Sequence, residues 1–94
     1  MGGEPLCEEN LFLTNFVISQ VREKVPGTKI YIWTGYHYED LLKKDAPHLK
    51  NILAEADVLI DGPYVERLRD ITLPMRGSSN QRIIELKENY CEKN

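Results

Sequence analysis

Two short runs suited to burial, residues 29–34 (Lys-Ile-Tyr-Ile-Trp-Thr) and 57–61 (Asp-Val-Leu-Ile-Asp), each end in a polar residue followed by glycine: Thr34-Gly35 and Asp61-Gly62. Both are dense in β-branched and aliphatic or aromatic residues, the composition of strands covered on two faces. Helical patterns precede and separate them. Over residues 8–25, Leu13, Val17, Val21 and Val25 recur every four residues with Phe12 and Phe16 beside them. One wide apolar stripe is therefore expected to face the core, and Pro26-Gly27 ends the helix. Residues 38–44 read as a short helix, with Glu39 and Asp40 in the first turn and Lys43 and Lys44 in the last, as the helix dipole prefers. Pro47 opens another, in which Leu49, Ile52, Leu53 and Ala56 follow helical spacing.

This alternation predicts one α/β domain over residues 1–94, with parallel strands and helices packed on one face. Residues 64–75 read as a helical turn and a loop at Pro74. Residues 76–80 form a polar turn, 82–86 a last short strand, and the chain from 89 onward a frayed tail.

Size and charge exclude several functions. A chain of 94 residues buries only about 60–65% of its unfolded surface, so its core is modest. A net charge of −3 offers no electrostatic footprint for nucleic acid or an anionic membrane surface. No apolar run approaches the roughly 20 residues of a bilayer span. The start, Met1-Gly2-Gly3-Glu4-Pro5, has neither the basic nor the apolar part of a signal peptide, so a cytoplasmic location is expected. Cys7 and Cys91 lack a second cysteine at metal-ligand spacing and read as two reduced thiols. His37 and His48 stand alone and read as surface residues. No metal site and no catalytic residue is expected in these 94 residues.

In parallel sheets, ligands bind where strand carboxyl ends, loops and helix starts converge. Thr34-Gly35 and Asp61-Gly62 could line one such site, or be simple strand-ending turns. Asp61 either meets a ligand or caps a turn. The run Arg76-Gly77-Ser78-Ser79-Asn80 carries a guanidinium, hydroxyls and backbone amides that could cradle an anion, or it is a solvated turn. Trp33, in mid-strand, is expected in the core rather than stacked on a ligand.

Four blocks together resemble one family. Gly2-Gly3-Glu4-Pro5 is similar to the segment of radical S-adenosylmethionine (SAM) enzymes that meets the methionine amino group. Trp33-Thr34-Gly35-Tyr36 with Glu39-Asp40-Leu41 resembles the third strand and turn of the anaerobic ribonucleoside-triphosphate reductase activating proteins. Asp57-Val58-Leu59-Ile60-Asp61-Gly62-Pro63 resembles their next strand. Arg76-Gly77-Ser78-Ser79-Asn80-Gln81-Arg82 resembles their C-terminal signature, and is the most specific of the four.

The resemblance implies a partial, truncated radical SAM βα barrel, with SAM and a [4Fe–4S] cluster as the family's cofactors. It implies, as partner, the large glycyl-radical subunit of anaerobic ribonucleoside-triphosphate reductase. A 5′-deoxyadenosyl radical would abstract a glycine hydrogen from that subunit. Carried over residue by residue, SAM contacts fall on Gly2, Gly3, Glu4, Thr34, Asp61, Arg76, Ser78 and Asn80. Glycine at 2 and 3 would admit close backbone approach, and Glu4 would meet the α-ammonium.

This sequence departs from the family in its cysteines. The family's cluster loop, C-x3-C-x2-C, has no counterpart among residues 1–94, and irons of such clusters need thiolate ligands. Pro63 also stands where some activases carry a lysine. The expectation is therefore the C-terminal portion of an activase, inactive alone and without a cluster. The family's first two strands are absent, which implies an exposed sheet edge and association with further copies. The alternative is a non-enzymatic α/β module that binds an anion or a protein through residues 76–81.

Overall fold

The computed structural model describes residues 4–87. Gly2, Gly3, Cys91 and the expected frayed tail lie outside the described residues. A 3-10 turn at Glu8–Asn10 leads into α1 (Leu11–Lys24), followed by β1 (Tyr31–Trp33), α2 (Tyr38–Leu42) and α3 (Pro47–Glu55). Then come β2 (Val58–Asp61), a 3-10 turn at Glu66–Leu68, and β3 (Arg82–Glu85). The helices and strands read from the sequence are all present, most of them shorter than expected.

The sheet order is β1-β2-β3. β1 and β2 run parallel, with Ile32 opposite Leu59, as the helical crossover between them requires. The expected all-parallel sheet is corrected at β3, which pairs with β2 antiparallel in the register Asp61–Arg82. The connection from β2 to β3 carries no α-helix to cross the sheet, only the turn at Glu66–Leu68 and loops. A chain that returns without a crossover helix comes back antiparallel. The domain is thus α/β with a small mixed sheet.

Ile32, Leu59 and Ile84 share one rung of the sheet and one face. They pack in a single cluster with Leu11 and Ile18 of α1, Leu41 of α2, and Leu49 and Ile52 of α3. The helices therefore cover one face, as expected.

The stripe on α1 needs a correction. Leu13, Val17 and Val25 are half or more exposed, as are Phe12 and Phe16. The inward face is instead Leu11, Asn15, Ile18 and Arg22, spaced i, i+4, i+7 and i+11. Two of these are polar, so an apolar count passes over them. Asn15 joins Asn51 of α3, whose Nδ2 donates to its Oδ1. Arg22 donates to the carbonyls of Thr28 (2.7 Å) and Glu55 (2.6 Å) and to Asp57 Oδ2 (2.7 Å). That carboxylate also accepts the Ile30 N–H at 2.7 Å. Burial opposes charge on Asp57, but the Ile30 N–H and Arg22 outweigh it and lower its pKa. One guanidinium thus fastens the end of α1 to the starts of both parallel strands.

The displaced stripe lines a groove of about 620 Å³, in which Leu13, Val17 and Val21 face Tyr31 and Trp33 along the open side of β1. Trp33 is also corrected: it is 50% exposed, and its indole N–H donates to the Met75 carbonyl at 2.7 Å. It lies on the face opposite the helices, beside Ile60, so mid-strand position did not bury it.

Candidate functional site

Thr34 follows β1 directly, and its N–H continues the ladder to the Ile60 carbonyl at 2.9 Å. Its side chain is buried, and its hydroxyl donates to Glu4 Oε2 at 2.5 Å. The Gly35 N–H donates to Glu4 Oε1 at 2.6 Å, and the Leu6 N–H to Oε2 at 3.0 Å. A Cβ at residue 35 would lie 3.3 Å from Glu4 Oε1, which makes glycine the comfortable residue there. The carboxylate of Glu4 is thereby locked to the end of β1. Two carboxylate oxygens offer about four lone-pair positions, and these three donors leave one open on Oε1.

The end of β2 is built around a fully buried carboxylate. Asp61 Oδ2 accepts the Tyr38 N–H at 2.8 Å, where α2 begins. Arg82 Nε donates to Asp61 Oδ1 at 3.0 Å, and Arg82 Nη2 donates to Oδ2. The same guanidinium reaches Glu39, with Nη1 to Oε2 at 3.0 Å and Nη2 to Oε1 at 2.8 Å. Gly62 follows at φ 98°, a left-handed conformation that favours glycine, and its N–H donates to the Tyr36 carbonyl at 2.9 Å. The two strand ends are therefore hydrogen-bonded to each other.

Arg82 holds the Glu39 carboxyl down to about 2, chiefly through the side-chain hydrogen bonds. A carboxylate depressed from 4.5 contributes stability above its unfolded pKa and loses it as pH falls through the folded value. Glu39→Gln should therefore flatten the acid limb of a stability profile between about pH 4.5 and about pH 2. An unchanged acid limb in urea titrations at stepped pH would contradict this.

The Arg76 to Gln81 loop folds against the exit of β2. Gln81 Oε1 accepts the N–H groups of Gly77 (2.8 Å) and Ser78 (3.2 Å), and its Nε2 donates to the Gly62 carbonyl at 2.9 Å. Asn80 Nδ2 donates to the Pro63 carbonyl at 2.8 Å. The buried Ser78 hydroxyl accepts the Val65 N–H at 3.1 Å. Arg76 Nη1 donates to the Gln81 carbonyl at 3.2 Å. The donors that suggested an anion cradle are turned largely onto the chain itself.

Between the strand ends lies an open cleft of about 280 Å³, lined by Glu4, Trp33, Thr34, Gly35, Tyr64 and Gln81 among others. Of the residues to which the resemblance carried SAM contacts, Glu4 and Thr34 line it. Asp61, Arg76, Ser78 and Asn80 do not, and serve its walls from behind. Tyr64 was missed; its only sequence signal was its position after Gly62-Pro63. Gln81 was named only as part of the 76–82 signature and as the end of the 76–81 loop, not as a SAM contact.

The residues present do not fit an iron–sulfur cluster. The sequence has two cysteines; Cys7 is half-buried, and no group of three His, Cys, Asp or Glu side chains converges among the described residues. They do fit an ammonium group, which the free lone pair of Glu4 would accept as a charge-assisted hydrogen bond.

The model of the 4Fe-4S single cluster domain matches residues 1–84. The chain belongs to that family. Its curated relatives carry one name. It is 35% identical over 86 residues to the anaerobic ribonucleoside-triphosphate reductase-activating protein of Escherichia coli K12, covering 92% of this chain and 53% of that protein. The same-named protein of Haemophilus influenzae is 36% identical over the same shares, and that of Enterobacteria phage T4 is 37% identical over 87% of this chain and 48% of its own length. The chain thus spans about half the length of the curated relatives it matches. No solved structure matches it. The resemblance drawn from the four sequence blocks is confirmed by these relatives, and the family model adds that the match is to an iron–sulfur domain.

Proposed function

We propose that this chain forms the SAM-holding part of an activating protein for anaerobic ribonucleotide reductase, and that it does not activate the reductase by itself. The observation that carries this reading is the Glu4 carboxylate, fixed by Thr34, Gly35 and Leu6 at the mouth of a cleft between two parallel strand ends. Its three donors leave the carboxylate one lone pair for the α-ammonium of an amino acid. Trp33 and Tyr64 supply aromatic walls to the same cleft, and Gln81 an amide. The chain's own residues bind and orient; the radical step needs a cluster whose three thiolates are not among these 94 residues, so no step of it is assigned to them. A cytoplasmic location and the glycyl-radical subunit as partner go with this reading. It is tested by SAM affinity in the wild type and in Glu4→Gln. Loss of the charge-assisted contact should weaken binding about tenfold or more. Equal affinity in both would sink the assignment of Glu4.

The same reading includes self-association. Thr34 and Ile30 bond to β2, so the alternation of a strand turns the backbone N–H and C=O of Tyr31 and Trp33 to the open side of β1. Unpaired strand edges recruit further chain, and a second copy is the partner always available. Light scattering should report a dimer or larger species at high concentration. A monomer throughout would refute it.

A further inference from the structure

We propose that Arg82 is the positioning residue of the cleft, a role that rests on the SAM-holding reading but has its own test. Arg82 lines no part of the cleft. It stands opposite Asp61 in the β2–β3 register and ties its own strand to two further elements. Nε and Nη2 hold the buried Asp61 at the end of β2, while Nη1 and Nη2 hold Glu39 in the first turn of α2. Asp61 passes the constraint on by accepting the Tyr38 N–H. The next residue, Gly62, donates its N–H to the Tyr36 carbonyl, and its own carbonyl accepts from Gln81 Nε2.

The turn at residues 34–38 is therefore clamped at both ends: by Glu4 where it leaves β1, and by the Arg82–Asp61–Tyr38 chain where α2 begins. Both strand ends that bound the cleft take their spacing from one guanidinium. Lysine would not substitute. Its compact ammonium has three donors and no planar fork, so it would give up the bidentate grip on one carboxylate or the other.

Amide hydrogen exchange and SAM titration by NMR on the full chain test this, with Arg82→Lys and Glu39→Gln beside the wild type. Arg82→Lys should speed exchange at Tyr38 and Gly62 by about tenfold or more, leave Ile52 and Leu53 in α3 unchanged, and weaken SAM binding by a similar factor. Glu39→Gln keeps the Asp61 pair and should speed Tyr38 and Gly62 less than Arg82→Lys does. If Arg82→Lys fails to fold, faster exchange at Tyr38 in Glu39→Gln, with α3 unchanged, supports the role, and wild-type exchange there overturns it. Wild-type exchange at Tyr38 and Gly62 in Arg82→Lys, or a rise spread evenly over the chain, would also overturn it. If the wild-type chain shows no SAM binding, the functional reading fails while the exchange result still decides whether Arg82 sets the strand ends.

Discussion

Anaerobic incubation of the purified chain with iron and sulfide is expected to yield no stoichiometric [4Fe–4S] absorption and no reduced-cluster EPR signal. A cluster of this kind is held on the protein by thiolates. The sequence offers only Cys7 and Cys91, 84 positions apart (91 − 7), against three within eight residues in the C-x3-C-x2-C pattern. Carboxylates do not fill the gap: among the described residues no three metal-binding side chains converge. Membership of an iron–sulfur family makes this a sharp test, because a SAM-responsive cluster signal at one per chain would show that ligation proceeds by a route these residues do not reveal.

The second large effect is on stability. Leu59→Ala should cost about 2–5 kcal/mol, the range for deleting a buried leucine side chain from a core that relaxes only in part. Leu59 is fully buried at the centre of the three-stranded sheet, with Ile32 on one side, Ile84 on the other, and the helices over it. For a domain of this size the melting temperature should fall by about 10 °C or more. Ile71→Ala makes the control: that side chain is 83% exposed, and surface changes of this kind usually stay within about 0.5 kcal/mol. A Leu59→Ala melting curve close to the wild type would mean that the sheet centre is not where the fold is held.

Much of this architecture was legible from periodicity and punctuation. The alternating runs placed β1, α2, α3 and β2 correctly because Pro47, Gly35 and Gly62 mark their limits by local chemistry. Tertiary pairing was not legible. The direction of β3 depends on how a 20-residue connection without a crossover helix returns, and no residue in 82–85 encodes that (residues 62–81). The inward face of α1 was misassigned because Asn15 and Arg22 point inward to satisfy polar partners, and hydrophobic spacing counts only apolar residues.

The site was half legible. Thr34-Gly35 and Asp61-Gly62 do converge, joined by the Gly62 to Tyr36 hydrogen bond. Charge alone did not say which acid would face the cleft. Asp61 is fully buried and engaged by Arg82 and Tyr38, whereas Glu4 at the chain's start closes over the end of β1. That distinction depends on contacts 21 and 31 positions apart, which no local pattern carries.

The most direct measurement is a ¹H–¹⁵N NMR titration of the 94-residue chain with SAM. Without cluster chelation, binding rests on one charge-assisted contact and a few hydrogen bonds, so a dissociation constant of about a millimolar or weaker is expected. Saturable shifts should cluster at Glu4, Gly35, Gly62, Tyr64 and Gln81, which line the cleft. No saturable shift up to the solubility limit of SAM, or shifts confined to residues away from that cleft, would contradict the assignment of these strand ends as a SAM-holding site.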